Sequence, residues 1–547
     1  MSIPSTQSAV QLVGPDRLIL NPTKPVTRPG PHQILARIDC VGLCFSDMKL
    51  LHQFDGHVRK GPVIAGLDAA TLGQIPSYVP EDQPTVPGHE VVFTVVEVGA
   101  AVQSVSVGQR YLVQADWREL KTARSNGAFG YNFEGGLQEY VLVDERATVA
   151  SDGTSYLLPV SPGRSASATA LVEPWACVEN AFIHSERCAL RPGGTLLLVR
   201  ADGAEAASDG LDLSQVGRCL FLSDGSDPVP EGFTAVSRSD LAPGSIDDLL
   251  FAGADADLLE DLLPTLATNG MALIATGGLR FERPVKVPVG RVHYGNIRLA
   301  GYPGPSFAKA LARIPTTGEV RPGDRVHVIG AAGPMGSMAV IRLASLAGHD
   351  IAVEASDMDA ARLAVLGAKA SPVAERCGVP LHLFDPRAEQ AQGPADYVML
   401  MVPVGALVAQ AVTTASPGAI INIFAGIPAE VHQELDLDTY IDKGLYCIGT
   451  SGSTMDDIHA VLAKVEAGTL DTDLSVAAVS GMGGAIAGLE AVRDGQVPGK
   501  IIVYPVLGDF PLTLLDDLEQ RCPAAAAALN AGSWTAAAEQ ALLADDQ

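Results

Sequence analysis

The sequence predicts a multidomain α/β chain with a β-rich N-terminal part, and three observations carry that reading. A strand, glycine turn, helix, strand and acid follow one another from Val326 to Asp357. Short apolar runs alternate with glycines before residue 150. An internal repeat recurs at an offset of 130 residues (321 − 191). At 547 residues the chain exceeds what one hydrophobic core supports, so two to four domains are expected.

The glycine turn is the most chemically loaded stretch. Val326, Val328 and Ile329 read as a short strand, Gly330-Ala331-Ala332-Gly333-Pro334-Met335-Gly336 as a tight loop opening a helix, and Ile351-Ala352-Val353 as a second strand. Glycines let backbone N–H groups approach a pyrophosphate at the helix N-terminus, where the helix dipole adds positive potential. Asp357 lies 21 residues after Gly336 (357 − 336), about where a Rossmann unit places the carboxylate that accepts from an adenosine ribose. Gly330, Gly333, Pro334, Met335, Gly336 and Asp357 are therefore the expected nucleotide contacts. The first glycine of the usual G-x-G-x-x-G is Ala331, and a plain βαβ turn is the competing reading. NAD is expected over NADP, because a 2′-phosphate would meet Asp357 with no arginine directly after it; Arg362 is the residue that would serve NADP instead.

Taken in order, Val91 to Val98, Arg110 to Val113 and Tyr140 to Val143 read as strands separated by Gly99, Gly108, Gly135 and Gly136. From Ser165 to Arg187 the pattern turns helical, with Pro174 marking a kink or a helix start near Glu173. Then comes the repeat. Arg191-Pro192-Gly193-Gly194 and its apolar run match Arg321-Pro322-Gly323-Asp324 and its own run. Further on, Gly270 faces Gly418 and Gly301 faces Gly449, now at an offset of 148 (418 − 270), so the first copy lacks a piece in its middle. In the first copy two of the three loop glycines are replaced, by Arg200 and Ala206, and Asp202 and Glu205 would repel a pyrophosphate, so it reads as a structural or dimerisation module. The boundaries that follow are 1–189 for the β-rich domain, 190–319 for the degenerate repeat, 320–471 for the nucleotide domain, 472–510 for a return segment and 511–547 for an alanine-rich helical tail in which no chemistry is visible.

A formal charge of −26 argues against nucleic acid or an anionic membrane as partner. No apolar run reaches the roughly 18 residues of a membrane span, and the N-terminus has no basic region followed by an apolar one. Eight scattered cysteines without a C-x-x-C fit reduced thiols. A cytoplasmic protein acting on a small molecule is expected.

Three separated pieces could meet at one metal: Cys44 in Gly42-Leu43-Cys44-Phe45-Ser46-Asp47, His89 in Gly88-His89-Glu90, and Glu173 before Pro174. One thiolate, one imidazole and one carboxylate leave a fourth position open, as in a catalytic zinc site. Each alone reads more simply as a core thiol, a satisfied histidine or a solvated acid.

Together with the late glycine loop and the closing Gly499-Lys500, these motifs resemble the medium-chain zinc-dependent alcohol and polyol dehydrogenases over most of 1–190 and 320–505. The resemblance implies a GroES-like catalytic domain, a Rossmann domain with the degenerate Rossmann-like repeat as an insertion, one catalytic zinc on Cys44, His89 and Glu173, and hydride transfer to NAD. It gives Glu90 the role of a nearby carboxylate and Ser46 that of a hydrogen-bond partner to the reacting hydroxyl. It also implies a homo-oligomer, dimer or tetramer. The chain departs from the pattern in lacking any cysteine between Arg110 and Glu145, so the second, structural zinc is absent, and in carrying Lys49 where a relay histidine often stands. Lys49, the run Gly108 to Ala115, Phe129-Gly130-Tyr131 and Gly333 to Gly336 look most like the L-sorbose 1-phosphate reductase type. The expected activity is interconversion of a secondary alcohol and a ketone on a polyol, sugar or sugar phosphate. The competing readings are a zinc-free NADPH-dependent enone or quinone reductase and a catalytically silent nucleotide-binding relative.

Overall fold

The computed structural model describes residues 3–201, 203–204, 210–223 and 228–544. Two compact units emerge, one made of Met1–Ala176 with Ser453–Gln547 and the other of Cys177–Gly452. The dividing point falls inside the helix Val172–Ile183.

In the first unit an eight-stranded sheet runs Leu157–Pro159, Arg110–Val113, Glu90–Val98, Gln33–Gly42, Lys500–Val503, Val476–Ser480 and Thr513–Leu514, with Tyr140–Asp144 also paired to Gln33–Gly42. The strand runs read from sequence all lie in it. Their apolar side chains, among them Val41, Val91, Phe93, Tyr111 and Val141, are buried in one core with Trp117, Phe129 and Phe133. The return segment enters beside the N-terminal strand, Ile502 opposite Gly42 and Val503 opposite Val41. This registers the far end of the chain against residues 41–44.

The second unit holds two six-stranded parallel sheets of the same strand order. One runs Thr234–Ala235, Arg218–Ser223, Thr195–Arg200, Ile246–Ala252, Leu266–Ala275 and Arg298–Tyr302; the other runs Leu381–Phe384, Ala352–Ser356, Arg325–Ile329, Tyr397–Leu400, Ile420–Ile423 and Tyr446–Ile448. Counted along the chain each is 3-2-1-4-5-6, the dinucleotide-binding order. The helices differ. The second sheet has Pro334–Ala344 after its first strand and Ala360–Cys377 after its second; the corresponding links of the first sheet hold no helix among the described residues. Strand pairing locates the missing piece. Leu196 pairs with Cys219 as Val326 pairs with Val353, offsets of 130 and 134 (326 − 196, 353 − 219). Leu220 pairs with Thr234 as Glu354 pairs with His382, an offset of 148 (382 − 234). Most of the shortening therefore falls where the second copy has its 18-residue helix. Asp202 and Glu205 lie outside the described residues.

The C-terminal tail departs from a purely helical reading. It first adds the strand Thr513–Leu514 to the sheet, then forms the helices Pro523–Ala527 and Ala536–Ala544. Nor is it chemically silent. Glu539 is buried and accepts from the backbone N–H of Ala166 (2.6 Å) and Ser167 (2.9 Å) at the start of the helix Ala166–Ala170, and from Tyr504 Oη (2.9 Å). Ser167 Oγ lies 2.6 Å from Asp473 Oδ1 and 2.9 Å from Glu539 Oε2, and accepts from Trp534 Nε1 at 3.1 Å. One hydroxyl has one proton to give. Two carboxylates around it are satisfied together only if one of them is protonated. Burial pushes Asp473 up to about 7; the hydroxyls of Ser165 and Ser167 oppose the rise and the Glu539 charge adds to it. This network fixes the helix that leads through Leu171 into Val172–Ile183, the carrier of Glu173.

A carboxyl whose folded value is raised binds a proton that the unfolded chain has already released, so stability falls as pH rises between about 4 and 7. Thermal melts from pH 4 to 8 should show this decline in the parent chain, and Asp473→Asn should flatten it. An unchanged slope in the variant would place the proton elsewhere.

Candidate functional site

Cys44 caps the helix Phe45–Gln53 from an extended backbone. Within that helix Asp47 is fully buried and divides its carboxylate: Oδ2 accepts from the Cys44 N–H (3.2 Å) and Oδ1 lies 3.0 Å from His89 Nδ1. A carboxylate can only accept, so Nδ1 carries the hydrogen and Nε2 is turned toward the thiol side. Ser46 Oγ stands 3.1 Å from Cys44 Sγ and 3.1 Å from His89 Nε2. Both Asp47 oxygens are thus engaged, and Lys49 is exposed on the same helix.

Glu90 begins its strand opposite Gly42. A Cβ on residue 42 would lie 2.2 Å from Glu90 Oε2, so glycine is required to admit the carboxylate. Glu90 Oε1 pairs with Lys500 Nζ, which also donates to the Leu43 carbonyl at 3.1 Å. Glu90 Oε2 is buried with no hydrogen-bond partner. Ligand atoms of Cys44, His89 and Glu90 all lie within 4.8 Å of one another. Glu173 is not in that tight group, yet it belongs to the same electrostatic neighbourhood: burial raises its carboxyl above the usual range, with His89 opposing, Glu90 adding and Lys500 opposing. A thiol, an imidazole with its far nitrogen fixed by a carboxylate, and a second carboxylate fit a zinc ion.

Tyr131 and His57 were not singled out as site residues from the sequence. Tyr131 is buried against His89, ring centroids 5.6 Å apart, and stacks on His57 at 5.2 Å. The Arg59 guanidinium sits 5.2 Å from the same ring. Burial, then the charges of Arg59, Lys49 and Arg124, push His57 down to about 4, leaving it neutral at physiological pH. These positive charges gather around His57 although the chain carries −26 overall. Only the short run Phe129-Gly130-Tyr131 hinted at this ring from sequence.

The second unit carries the glycine loop. Gly330 has φ +78°, so the left-handed position falls on it and not on Ala331, which explains why alanine is tolerated next door. Both N–H groups donate to the Ser356 carbonyl, at 2.8 and 3.0 Å. Gly333 precedes the helix Pro334–Ala344, with Pro334 at its first turn and Met335 and Gly336 following. A Cβ on Gly336 would meet the Ala331 and Gly330 carbonyls at 2.6 Å, whereas one on Gly333 would find only the Gly330 carbonyl, at 4.0 Å. Asp357 Oδ2 accepts from the Ala332 N–H and Oδ1 from the Asp359 N–H, both at 3.0 Å, which holds the loop against the end of the second strand. An open space over Gly333, a helix N-terminus and an acid beside it fit a dinucleotide.

Comparison with known proteins bears on the fold. Residues 30–152 match the family described as the alcohol dehydrogenase GroES-like domain. The β-rich unit is a GroES-like domain. The chain is 25% identical over 309 residues to an uncharacterized protein, YggP, of Escherichia coli K12, covering 48% of this chain and 71% of that one. It is 28% identical over 138 residues to the alcohol dehydrogenase notN of an Aspergillus species, 23% of this chain and only 33% of that protein. Among solved structures, 2R,3R-butanediol dehydrogenase from Bacillus subtilis superposes with a TM-score of 0.52 at 15% identity, over 91% of this chain and 100% of that one. Fold is what such a likeness establishes: a GroES-like domain joined to Rossmann-type parallel sheets.

Gly336→Ala should cost about 1–3 kcal/mol from overpacking against two carbonyls and lower the melting temperature, while Gly333→Ala should leave stability unchanged. Equal melting temperatures for the two variants would show that the loop does not pack this way.

Proposed function

We propose that the protein is a zinc- and NAD(H)-dependent oxidoreductase interconverting a secondary alcohol and a ketone on a polyol, sugar or sugar phosphate. The observation that carries it is the convergence of ligand atoms of Cys44, His89 and Glu90 within 4.8 Å of one another, in a chain that also holds a dinucleotide-type loop. Zinc held there would supply Lewis acidity toward a substrate oxygen, and a nicotinamide cofactor would supply the hydride chemistry.

The chain's own residues do the rest. Asp47 locks the imidazole so that Nε2 faces the donor group. Lys500 balances the Glu90 charge in a buried place where a lone carboxylate would be disfavoured. Ser46 Oγ, 3.1 Å from both Sγ and Nε2, would accept a hydrogen bond from the substrate hydroxyl and orient it. Lys49, Arg59 and Arg124 add positive potential near His57, which supports an anionic group such as a sugar phosphate on the substrate. Asp357 favours NAD over NADP, since like charges repel and each tenfold of preference needs only about 1.4 kcal/mol.

Metal analysis of purified chain should give one zinc, lost in Cys44→Ser, and Asp47→Ala should weaken zinc retention about 10–100-fold in a chelator competition. Two tightly held zinc ions, or full zinc content in Cys44→Ser, would overturn the assignment. Calorimetry should find one NAD(H) per chain with NADP at least tenfold weaker. Arg59→Met should raise KM for a phosphorylated ketose by about 10-fold or more, the loss of one charge-assisted contact, and leave the unphosphorylated analogue unchanged; equal effects on both would remove the anionic substrate.

A further inference from the structure

The two α/β copies do more than share a strand order. The strand Val285–Val287 pairs antiparallel with Gln433–Leu435: Val285 opposite Leu435, Lys286 opposite Glu434, Val287 opposite Gln433. These segments are equivalents of each other at the repeat offset of 148 (434 − 286). The pairing is therefore reciprocal. Val285 faces the equivalent of Val287, Val287 faces the equivalent of Val285, and the centre faces its own equivalent. The same reciprocity returns deeper in the unit. Gly301 lies against Ile441, and Gly449, its equivalent, lies against His293, the equivalent of Ile441 (449 − 301 and 441 − 293 are both 148). The helices Val289–Tyr294 and Leu437–Lys443 begin 148 apart (437 − 289), as do the strands Arg298–Tyr302 and Tyr446–Ile448 (446 − 298). Val289, Val292 and Leu299 of one copy and Leu437, Tyr440 and Ile441 of the other are buried in a single apolar cluster.

Contacts in which i meets j and the equivalent of j meets the equivalent of i define an isologous, two-fold interface. Between two chains this is the signature of a symmetric dimer; here both halves lie in one chain. The pattern of loss agrees. Every element at the pseudo-two-fold contact keeps its spacing at 148, whereas the shortening falls among the links that in the other copy carry the helices beside the nucleotide loop. A fused pair needs its interface twice and its cofactor loop once.

We infer that the first α/β unit is a built-in partner: it occupies, within the same chain, the sheet edge and helix face through which the nucleotide-binding unit would otherwise pair with a second copy. This goes beyond the proposed chemistry and is independent of it. At this face the dimer expected from sequence is replaced by a contact inside the chain.

The test uses the full-length protein with Lys286→Cys and Glu434→Cys together. Both positions are exposed, and directly opposite residues of an antiparallel pair are within disulfide reach. After mild oxidation, denaturing non-reducing electrophoresis and peptide mass mapping should find a 286–434 disulfide in a species of one chain mass, 56.8 kDa, absent from either single variant. A disulfide joining two chains, or no disulfide between these positions, would overturn the proposal. Should that pair fail to fold, Val287→Cys with Gln433→Cys reads the next reciprocal pair by the same criterion.

Discussion

The strand Gln33–Gly42 is the constraint on which the candidate centre depends. Its last residues are flanked by Glu90–Val98 on one side and Lys500–Val503 on the other, and the chain leaves it directly into Cys44 and the helix that carries Asp47. Three segments distant in sequence thus deliver a thiol, an imidazole with its neighbouring carboxylate, and an ammonium to one end of one sheet. Gly42 is the point of closest approach. A larger residue would drive the Glu90 carboxylate out of its place between the metal donors and Lys500, and with it the charge balance that lets these groups be buried together.

Much of this was legible in the sequence because the signals are local. Apolar runs such as Val91 to Val98 fix strands, the spacing of glycines from Val326 onward fixes a loop and its helix, and the repeated Arg-Pro-Gly fixes two related units. What escaped reading is what depends on the fold. Asp47 entered only as a letter of the Cys44 motif, yet its burial turns it to His89, 42 residues away. Tyr131 and His57 carry no motif of their own and matter only through the stack they form. Glu539 sits in an alanine-rich helix that a sequence reader passes over, and its meaning comes from two backbone amides some 370 residues earlier.

The two copies of the α/β unit have kept different halves of one design. In the second, both helices beside the glycine loop persist and the loop is tied to Asp357. In the first, the strands at the shared contact persist at constant spacing while the other links are short. Packing and ligand binding place separate demands on a duplicated fold, and once one copy meets the second demand the other is free to relax it.

Lys500 has a further consequence, and it concerns time. Its bonds to Leu43 and Glu90 span 457 and 410 residues, and a polypeptide leaves the ribosome N-terminal end first. Throughout most of synthesis, the segments that carry Cys44, His89 and Glu90 are present without the ammonium that balances them. The centre reaches its final charge state only when nearly the whole chain has emerged, so a product cut short before residue 500 would display the ligands while lacking the group that makes their burial tolerable.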